Sequence, residues 1–198
     1  MIEAIYKRRS VRKFLPRPVP QDVIEKILEA AVQAPSAKNR QPWKFVVVRG
    51  QERRNMVSAM KTGLRKVRSG DSCFTGWEPY LPSAIYTARI LELAPVTVFI
   101  LNRQGHPLKA DLSMPEKIME ICDLESVSAA IQNMALAATD LGVGSLWTCN
   151  IFLAYDELKA WLNTDGEMAA AMAFGYTDKP LSAAHREWKD SVIYRGED

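Results

Sequence analysis

The first twenty residues concentrate the side chains best suited to binding an anion. They contain six Lys and Arg against one Glu, a net charge of +5, whereas the remaining 178 residues are net −2. The densest run, KRRSVRKF over residues 7–14, places five cations around the hydroxyl of Ser10. Guanidinium groups bind phosphate oxygens through paired hydrogen bonds, and a serine hydroxyl adds a further donor. This composition indicates a phosphate site.

Two other interpretations of the basic run remain open from composition alone. A solvated basic turn has the same residue types. An arm that binds nucleic acid is also basic, but the other 178 residues are net acidic and carry no nucleic-acid motif. We therefore expect no nucleic-acid partner.

A second polar segment, PSAKNRQPW at residues 35–43, precedes an apolar run. Its Ser36, Asn39 and Gln41 offer hydrogen-bond donors and acceptors that suit a flat heteroaromatic ring with polar edges. Taken alone, the segment indicates no more than a polar turn before a strand.

The two segments together resemble the opening of the nitroreductase family, in which an RxS-type segment is followed by a PSxxNxQPW-type loop. Here the motifs read RRSVR at residues 8–12 and PSAKNRQPW at residues 35–43. The resemblance continues through APVTVFIL, SAAIQNMALAATDLGVGSLW, and a late GY and KP before an arginine-bearing tail. It covers almost the whole chain and weakens between residues 61 and 89.

The resemblance implies a bound FMN and names the residues that would contact it. The phosphate and ribityl end would be held by Arg8, Arg9, Ser10, Arg12 and Arg186. The partner subunit would contribute Pro35, Ser36, Asn39 and Gln41. The flavin N5 edge would lie along Trp147, Thr148, Cys149 and Asn150. Some relatives have an acidic residue at position 149, and we expect the cysteine here to be a small buried packing residue instead of a redox group.

The same resemblance implies an NAD(P)H-dependent FMN oxidoreductase. Hydride would pass from NADH or NADPH through flavin N5 to a nitroaromatic, a quinone or a free flavin by a ping-pong mechanism. No dedicated catalytic residue is expected, because the cofactor carries the chemistry. Alternatives are another flavin reaction on the same fold, such as reductive dehalogenation or flavin cleavage, or a non-catalytic protein that binds FMN or senses redox state.

The segment without a clear match holds further candidates. Some family members contact the flavin pyrimidine from this region, for which Lys61, Arg65 and Arg68 are candidates. Aromatic side chains that could stack on a flat acceptor are Phe74, Trp77 and Tyr80, together with Trp147.

Periodicity and turn residues predict the elements that must position these groups. Helices are predicted over residues 2–9, 21–34, 52–67, 82–93, 115–141 and 155–163. Strands are predicted over residues 44–49, 95–102, 144–152 and 167–174, with a last extended segment at 190–194. The run headed by Pro95 is apolar throughout and indicates a strand covered on both faces. Strands scattered between helices favour an α+β fold, and the resemblance implies a mostly antiparallel sheet flanked by helices.

Length and composition indicate one ordinary globular domain over residues 1–198. Three widely spaced cysteines and two histidines suggest neither a disulfide framework nor a metal site. No apolar run is long enough to cross a bilayer, so a cytoplasmic protein without a membrane partner is expected. The small residues of the helix at 128–141 permit close approach of another copy, and the resemblance implies an intertwined homodimer with FMN at the subunit interface.

Overall fold

The computed structural model describes residues 1–72, 76–179, 182–183 and 185–196. The α-helices of this part are α1 (Glu3–Lys7), α2 (Gln21–Val32), α3 (Glu52–Ser69), α4 (Leu81–Leu93), α5 (Met114–Asp140) and α6 (Tyr155–Leu162). The strands are β1 (Trp43–Arg49), β2 (Val96–Asn102), β3 (Gly144–Thr148) and β4 (Glu167–Gly175). Short 3-10 turns span Ala37–Asn39, Glu78–Tyr80, Asn150–Ala154 and Lys189–Ser191. Cys73, Phe74 and the Pro180 of the KP motif lie outside the described residues.

The four strands form one sheet in the order β1-β2-β4-β3, and every neighbouring pair is antiparallel. Strand β2 lies inside the sheet and all seven of its residues are buried. Its side chains alternate, with Val98 and Ile100 packing in one apolar cluster and Phe99 and Leu101 in the other. The predictions of a strand covered on both faces and of an α+β fold with an antiparallel sheet are confirmed.

Helices cover the two faces of the sheet unequally. Helices α2 and α5 supply Ile24, Ile27 and Met134 to the cluster that contains Val98. Helices α3, α4 and α6 cover the opposite face, together with the 3-10 turn at Asn150–Ala154. None of the helices in the described ranges combines the length and the apolar character that a bilayer crossing requires.

The prediction of a strand over 144–152 is wrong beyond Thr148. Cys149 has φ −106° and ψ −1°, which leaves the extended region, and a 3-10 turn follows. The side-chain amide of Asn150 donates to the hydroxyl oxygens of Ser83, at 3.1 Å, and Thr87, at 2.8 Å. The apolar residues after it are buried against α3 and α4, so their hydrophobicity reflects a packed turn and not a longer strand.

Both ends of the chain also differ from the sequence prediction. Helix α1 ends at Lys7 because Arg8 has ψ 129°, which starts the extended segment that meets β3. The predicted extended segment at 190–194 begins instead with Asp190 and Ser191 in a 3-10 turn. Ile193 and Tyr194 beyond it are 83% and 80% exposed, so within the described part of the chain no neighbouring element stabilises a strand there.

Gly63 marks the closest approach between α3 and the turn at Asn150–Ala154. A Cβ at this position would lie 2.5 Å from the Cα of Ala154 and 2.6 Å from a carboxylate oxygen of Glu157. Gly63→Ala is therefore expected to lower the free energy of unfolding by roughly 1–3 kcal/mol, because the backbone of the turn must shift. Urea denaturation measures the change.

Ser58→Ala, on an exposed position of the same helix, is the matched control. Alanine has a higher helix propensity than either serine or glycine, so the Ser58→Ala control should be neutral or slightly stabilising. A Gly63→Ala variant as stable as this control would contradict the close packing.

Candidate functional site

The basic N-terminal segment is anchored on the free edge of β3. Ser10 and Ser145 form an isolated parallel bridge, and the Val11 N–H donates to the Ser145 carbonyl at 2.8 Å. Val11 is 1% exposed, and a Cβ on Gly144 would lie 2.7 Å from its Cγ2. The absence of a side chain at position 144 thus allows this contact, which fixes the position of the flanking arginines.

These arginines line a cleft of about 840 Å³ together with part of the C-terminal tail. The lining residues comprise Ile5, Tyr6, Arg8, Arg9, Ser10, Arg12, Ser182, Ala183, His185 and Arg186. All the residues expected to hold a phosphate therefore come together, although Arg186 is far from the others in sequence. His185 lies beside them and adds a further nitrogen to the lining.

The charge in this cleft is not neutralised by the protein itself. Burial lowers the pKa of the Arg8 guanidinium, and the positive charges of Arg186 and Arg9 lower it further. Within the described ranges, no carboxylate pairs with Arg8, Arg9 or Arg186. The Arg9 Nε is buried without a hydrogen-bond partner among the described residues, while its NH1 donates to the carbonyls of Tyr6 and Arg8 at 2.7 Å. Converging, unpaired guanidinium groups of this kind suit a polyanionic group such as a phosphate.

A smaller pocket of about 390 Å³ adjoins the basic cleft, because Arg8 and Ser10 line both. Its other walls are Gln132, Ala135, Ser145, Trp147, Cys149 and Met172. An indole, a thioether and an amide around one opening provide both apolar surface and hydrogen-bonding groups. The combined site fits a molecule with a phosphate at one end and a flat, polar-edged ring at the other.

The four residues after the glycine turn have different environments. Trp147 is 40% exposed on the pocket wall, whereas Thr148 is buried and accepts a hydrogen bond from the Asn150 N–H at 3.2 Å. The Asn150 side chain is engaged with α4 through Ser83 and Thr87, so its side-chain amide is not free for another partner. Of the four predicted residues, Trp147 and Cys149 line the pocket.

Cys149 is exposed, so the expectation of a small buried packing residue is wrong. Cys149 directly follows β3, an edge strand of the sheet that pairs with the N-terminal segment at Ser145. Partial burial raises the pKa of the Cys149 thiol, and a hydrogen bond with Trp147 opposes this increase. The sulfur is consequently a protonated thiol at neutral pH and a weaker nucleophile than a thiolate.

The second predicted segment forms a turn that leads into β1. The Ser36 hydroxyl accepts the Gln41 N–H at 3.0 Å, and the Gln41 side-chain amide donates to the Asn39 Oδ1 at 3.1 Å. Asn39 and Gln41 have positive φ angles of 54° and 48°. The segment, including Pro35 at its head, is therefore held in a defined, partly exposed conformation by its own side chains.

An ion pair ties this turn to the middle of α5. The Arg40 guanidinium donates to both carboxylate oxygens of Asp123, at 2.9 and 3.0 Å, and the Asp123 side chain is 2% exposed. The Ala37 N–H donates to the Ser126 hydroxyl at 3.2 Å. The hydrogen bond with Asp123 raises the pKa of Arg40. These contacts fix the direction in which the polar turn faces.

The polar turn and the basic cleft lie at opposite corners of the sheet in one chain. Trp43 begins β1 at one edge of the sheet; it pairs with Asn102 of β2, which in turn pairs with Glu167 of β4. At the other edge, Ser145 of β3 pairs with Phe174 of β4. Three strand spacings and seven residues along β4 place the two segments roughly 25 Å apart. One chain thus holds two halves of the predicted site that do not contact each other.

Sequence reasoning missed several residues that line the site. Gln132 lies within α5 and Met172 within β4. The local sequence offers little sign of their role, since one is a polar residue and the other a flexible residue in an otherwise apolar pattern. Lys61, Arg65 and Arg68 line a different cleft, between α3 and α4. The rings of Trp77 and Tyr80 are 5.2 Å apart and both residues are exposed, in the segment that joins those helices.

Comparisons with known proteins place the sequence in a described family. The sequence model of the Nitroreductase family matches residues 5–176. A protein of Methanothermobacter thermautotrophicus named as an NADH dehydrogenase/NAD(P)H nitroreductase is 33% identical over 148 residues, which cover 75% of this chain and 60% of the relative. The matched part of a second archaeal relative is 65% of its length, so the chain spans less than two thirds of these curated relatives.

Solved structures share the fold over nearly the whole chain. A BluB-like flavoprotein from Clostridium difficile 630 superposes with a TM-score of 0.78 at 25% identity and covers 98% of both chains. The FMN-dependent nitroreductase NfnB from Mycobacterium smegmatis, solved in complex with NADPH, superposes with a TM-score of 0.74 at 21% identity, covering 98% of this chain and 96% of its own.

Proposed function

The chain belongs to the nitroreductase family, and from this membership we propose that residues 1–198 form a single domain that binds FMN and acts as an NAD(P)H-dependent oxidoreductase. The named relatives and the NADPH complex of a structural neighbour support this activity. Bound FMN would supply two-electron transfer from a reduced nicotinamide to an electron-poor acceptor. The chain's own residues would bind and orient the reactants.

One observation carries the proposal: an uncompensated cluster of arginines opens directly into a pocket walled by Trp147 and Met172. A phosphate with two negative charges would offset most of the positive charge of Arg8, Arg9 and Arg186. The buried, unpartnered Nε of Arg9 is an independent indication that a hydrogen-bond acceptor belongs there. Ser10, which lines both parts, is placed to contact the chain that links phosphate to ring.

The pocket next to the cleft suits an isoalloxazine ring by its chemistry. Trp147 and Met172 offer flat and polarisable surface, and the Gln132 amide offers a donor and an acceptor. The Cys149 thiol, protonated at neutral pH, adds no negative charge beside the ring. A site without negative charge beside the ring favours the negative charge that a flavin gains on reduction.

We further propose that the working form is a homodimer in which the polar turn of one chain completes the site of the other. Pro35, Ser36, Asn39 and Gln41 lie at the corner of the sheet opposite to the basic cleft. They can therefore contact a ring bound there only from a second copy. A twofold arrangement brings each turn to the partner's cleft and generates two equivalent sites.

The exposed apolar surface supports the same assembly. Met114, Ile118 and Ile121 follow one another along α5 and are between 54% and 68% exposed. Near the C-terminus Trp188, Ile193 and Tyr194 are between 59% and 83% exposed. Apolar side chains of this size on a long helix and on an extended tail indicate burial against another chain.

The acceptor would share the pocket with the nicotinamide and use it in turn, which gives ping-pong kinetics. Trp77 and Tyr80 are exposed in the segment before α4, which also contacts Asn150 through Ser83. Stacking on these rings would favour flat acceptors such as nitroaromatics, quinones or free flavins.

The visible absorption spectrum of the purified protein tests the proposal. We expect oxidised-flavin bands that bleach on anaerobic addition of NADH or NADPH and return on addition of a quinone or nitroaromatic. Bands that persist in the presence of both nicotinamides would indicate a non-catalytic FMN-binding protein. A protein that stays colourless after incubation with FMN and removal of the unbound excess would contradict the cofactor itself.

A further inference from the structure

The pair of helices α3 and α4 carries a second cleft, which the proposed FMN site does not use. It encloses about 400 Å³ and is lined mainly by exposed positions of these helices. Four cations line it: Lys61, Arg65 and Arg68 from α3, and Arg89 from α4.

The positive charge of this cleft is largely unpaired. Glu92 is the one carboxylate among its lining residues, and it binds Lys61 with its two oxygens at 3.1 and 3.2 Å. Arg65 donates to the Thr62 hydroxyl at 2.9 Å. Within the described ranges no acidic side chain pairs with Arg65, Arg68 or Arg89. Three guanidinium groups therefore line one opening without a carboxylate partner among the described residues.

The spacing of these cations works against the stability of α3. Residues 61, 65 and 68 lie on one stripe of the helix, where like charges three and four residues apart destabilise it. A favourable interaction with the helix C-terminus accounts for Arg68 near Ser69 but not for Lys61 or Arg65. An anion bound between the helices would relieve this repulsion.

The cleft also has an apolar wall, a feature that distinguishes it from a basic helix face that is simply solvated. Leu64, Ile85 and Ala88 lie between the cations, and Leu64 and Ala88 belong to the core cluster beneath. A ligand with an apolar or flat body and a charged group would contact both kinds of surface. Guanidinium forks favour a phosphate, because several can bind its oxygens at once.

We propose that this cleft binds a phosphate monoester carried on a flat or apolar body. Two sources share that chemistry: the 2′-phosphate-bearing adenosine end of NADPH, or a separate organophosphate. The assignment to NADPH rests on the proposed function, whereas the existence of a phosphate site in this cleft does not. Helix α4 links the two regions, since Ser83 and Thr87 hold Asn150 beside the proposed FMN pocket while Arg89 lines the cleft.

The test is calorimetric titration with adenosine 2′-monophosphate of protein that has been loaded with FMN and freed of the excess, so that bound FMN occupies the N-terminal basic cleft and no free FMN competes for the second cleft. The double variant Arg65→Gln/Arg89→Gln is compared with Arg54→Gln/Lys109→Gln, which removes the same charge from exposed positions outside the cleft. We expect the first variant to bind the nucleotide roughly 10-fold more weakly or worse, because charge-assisted hydrogen bonds are lost. The second should match the wild type.

Steady-state kinetics then distinguish the two sources. A selective fall in kcat/KM for NADPH, with NADH unchanged, assigns the cleft to the dinucleotide. Equal kinetics in variant and wild type, with weakened nucleotide binding, assign it to a separate organophosphate. If adenosine 2′-monophosphate fails to bind, or binds equally to both double variants, the proposed site is overturned. A chain that binds no FMN can still give the cleft-dependent heat, so the two proposals fail separately.

Discussion

Replacing Arg8 and Arg186 together with glutamine is expected to weaken FMN binding roughly 100-fold or more. Each guanidinium would contribute charge-assisted hydrogen bonds worth about 1.5–3 kcal/mol to a phosphate, and the two losses combine. Arg8 has its pKa lowered by burial and then by Arg186, so removing both also relieves a repulsion in the free protein. Fluorescence quenching of FMN on titration with the FMN-free variant measures the affinity.

The matched control is Lys13→Gln/Lys189→Gln. It removes two positive charges from the same two segments, but neither side chain lines the basic cleft. A general attraction between FMN and a basic surface would weaken binding equally in both variants. Unchanged affinity in the Arg8→Gln/Arg186→Gln variant would place the phosphate elsewhere.

The second large effect is complementation between two defective subunits. We expect the heterodimer of an Arg8→Gln/Arg186→Gln chain and an Asn39→Asp chain to regain FMN binding, although each homodimer is impaired. If each site is built from both subunits, one site of the heterodimer contains all three substitutions and the other contains none. The heterodimer should therefore bind about one FMN, or half the wild-type amount.

Two affinity tags on coexpressed chains allow the heterodimer to be isolated, and its flavin content is measured from absorbance. Asn39→Asp preserves the size of the side chain and its tolerance of the positive φ at this position, so the turn should keep its conformation. Both homodimers carry the same tags and serve as controls. If the complete site lay within one chain, both sites of the heterodimer would be defective and no binding would return.

Local sequence patterns were sufficient for most of the fold. Helix α5 was predicted over 115–141 and spans Met114–Asp140, and β2 was predicted as a strand covered on both faces. Periodicity succeeds here because each helix or strand buries one or both faces, and burial repeats with the period of the element. The exception beyond Thr148 arose because an apolar run packs equally well as a 3-10 turn when neighbouring helices supply the hydrogen bonds.

The residues of the candidate site were also predicted in part from the sequence. The RRSVR run and the PSAKNRQPW turn were identified from residue types, and Arg186 from the resemblance of the tail. Gln132 and Met172 were not, since each sits in an element whose pattern otherwise describes only packing. The environment of Cys149 was misjudged because sequence does not reveal on which edge of the sheet a strand ends.

The sequence by itself determined the family, the element types and the chemical character of the two segments that could bind a flavin phosphate and ring. Tertiary structure alone decided that Ser10 pairs with the free edge of β3, that Arg186 joins Arg8 in one cleft, and that the polar turn lies at the opposite corner. The physical reason is that residue types and short spacings control local conformation. The order of strands in a sheet depends on contacts between distant segments, which no local pattern specifies.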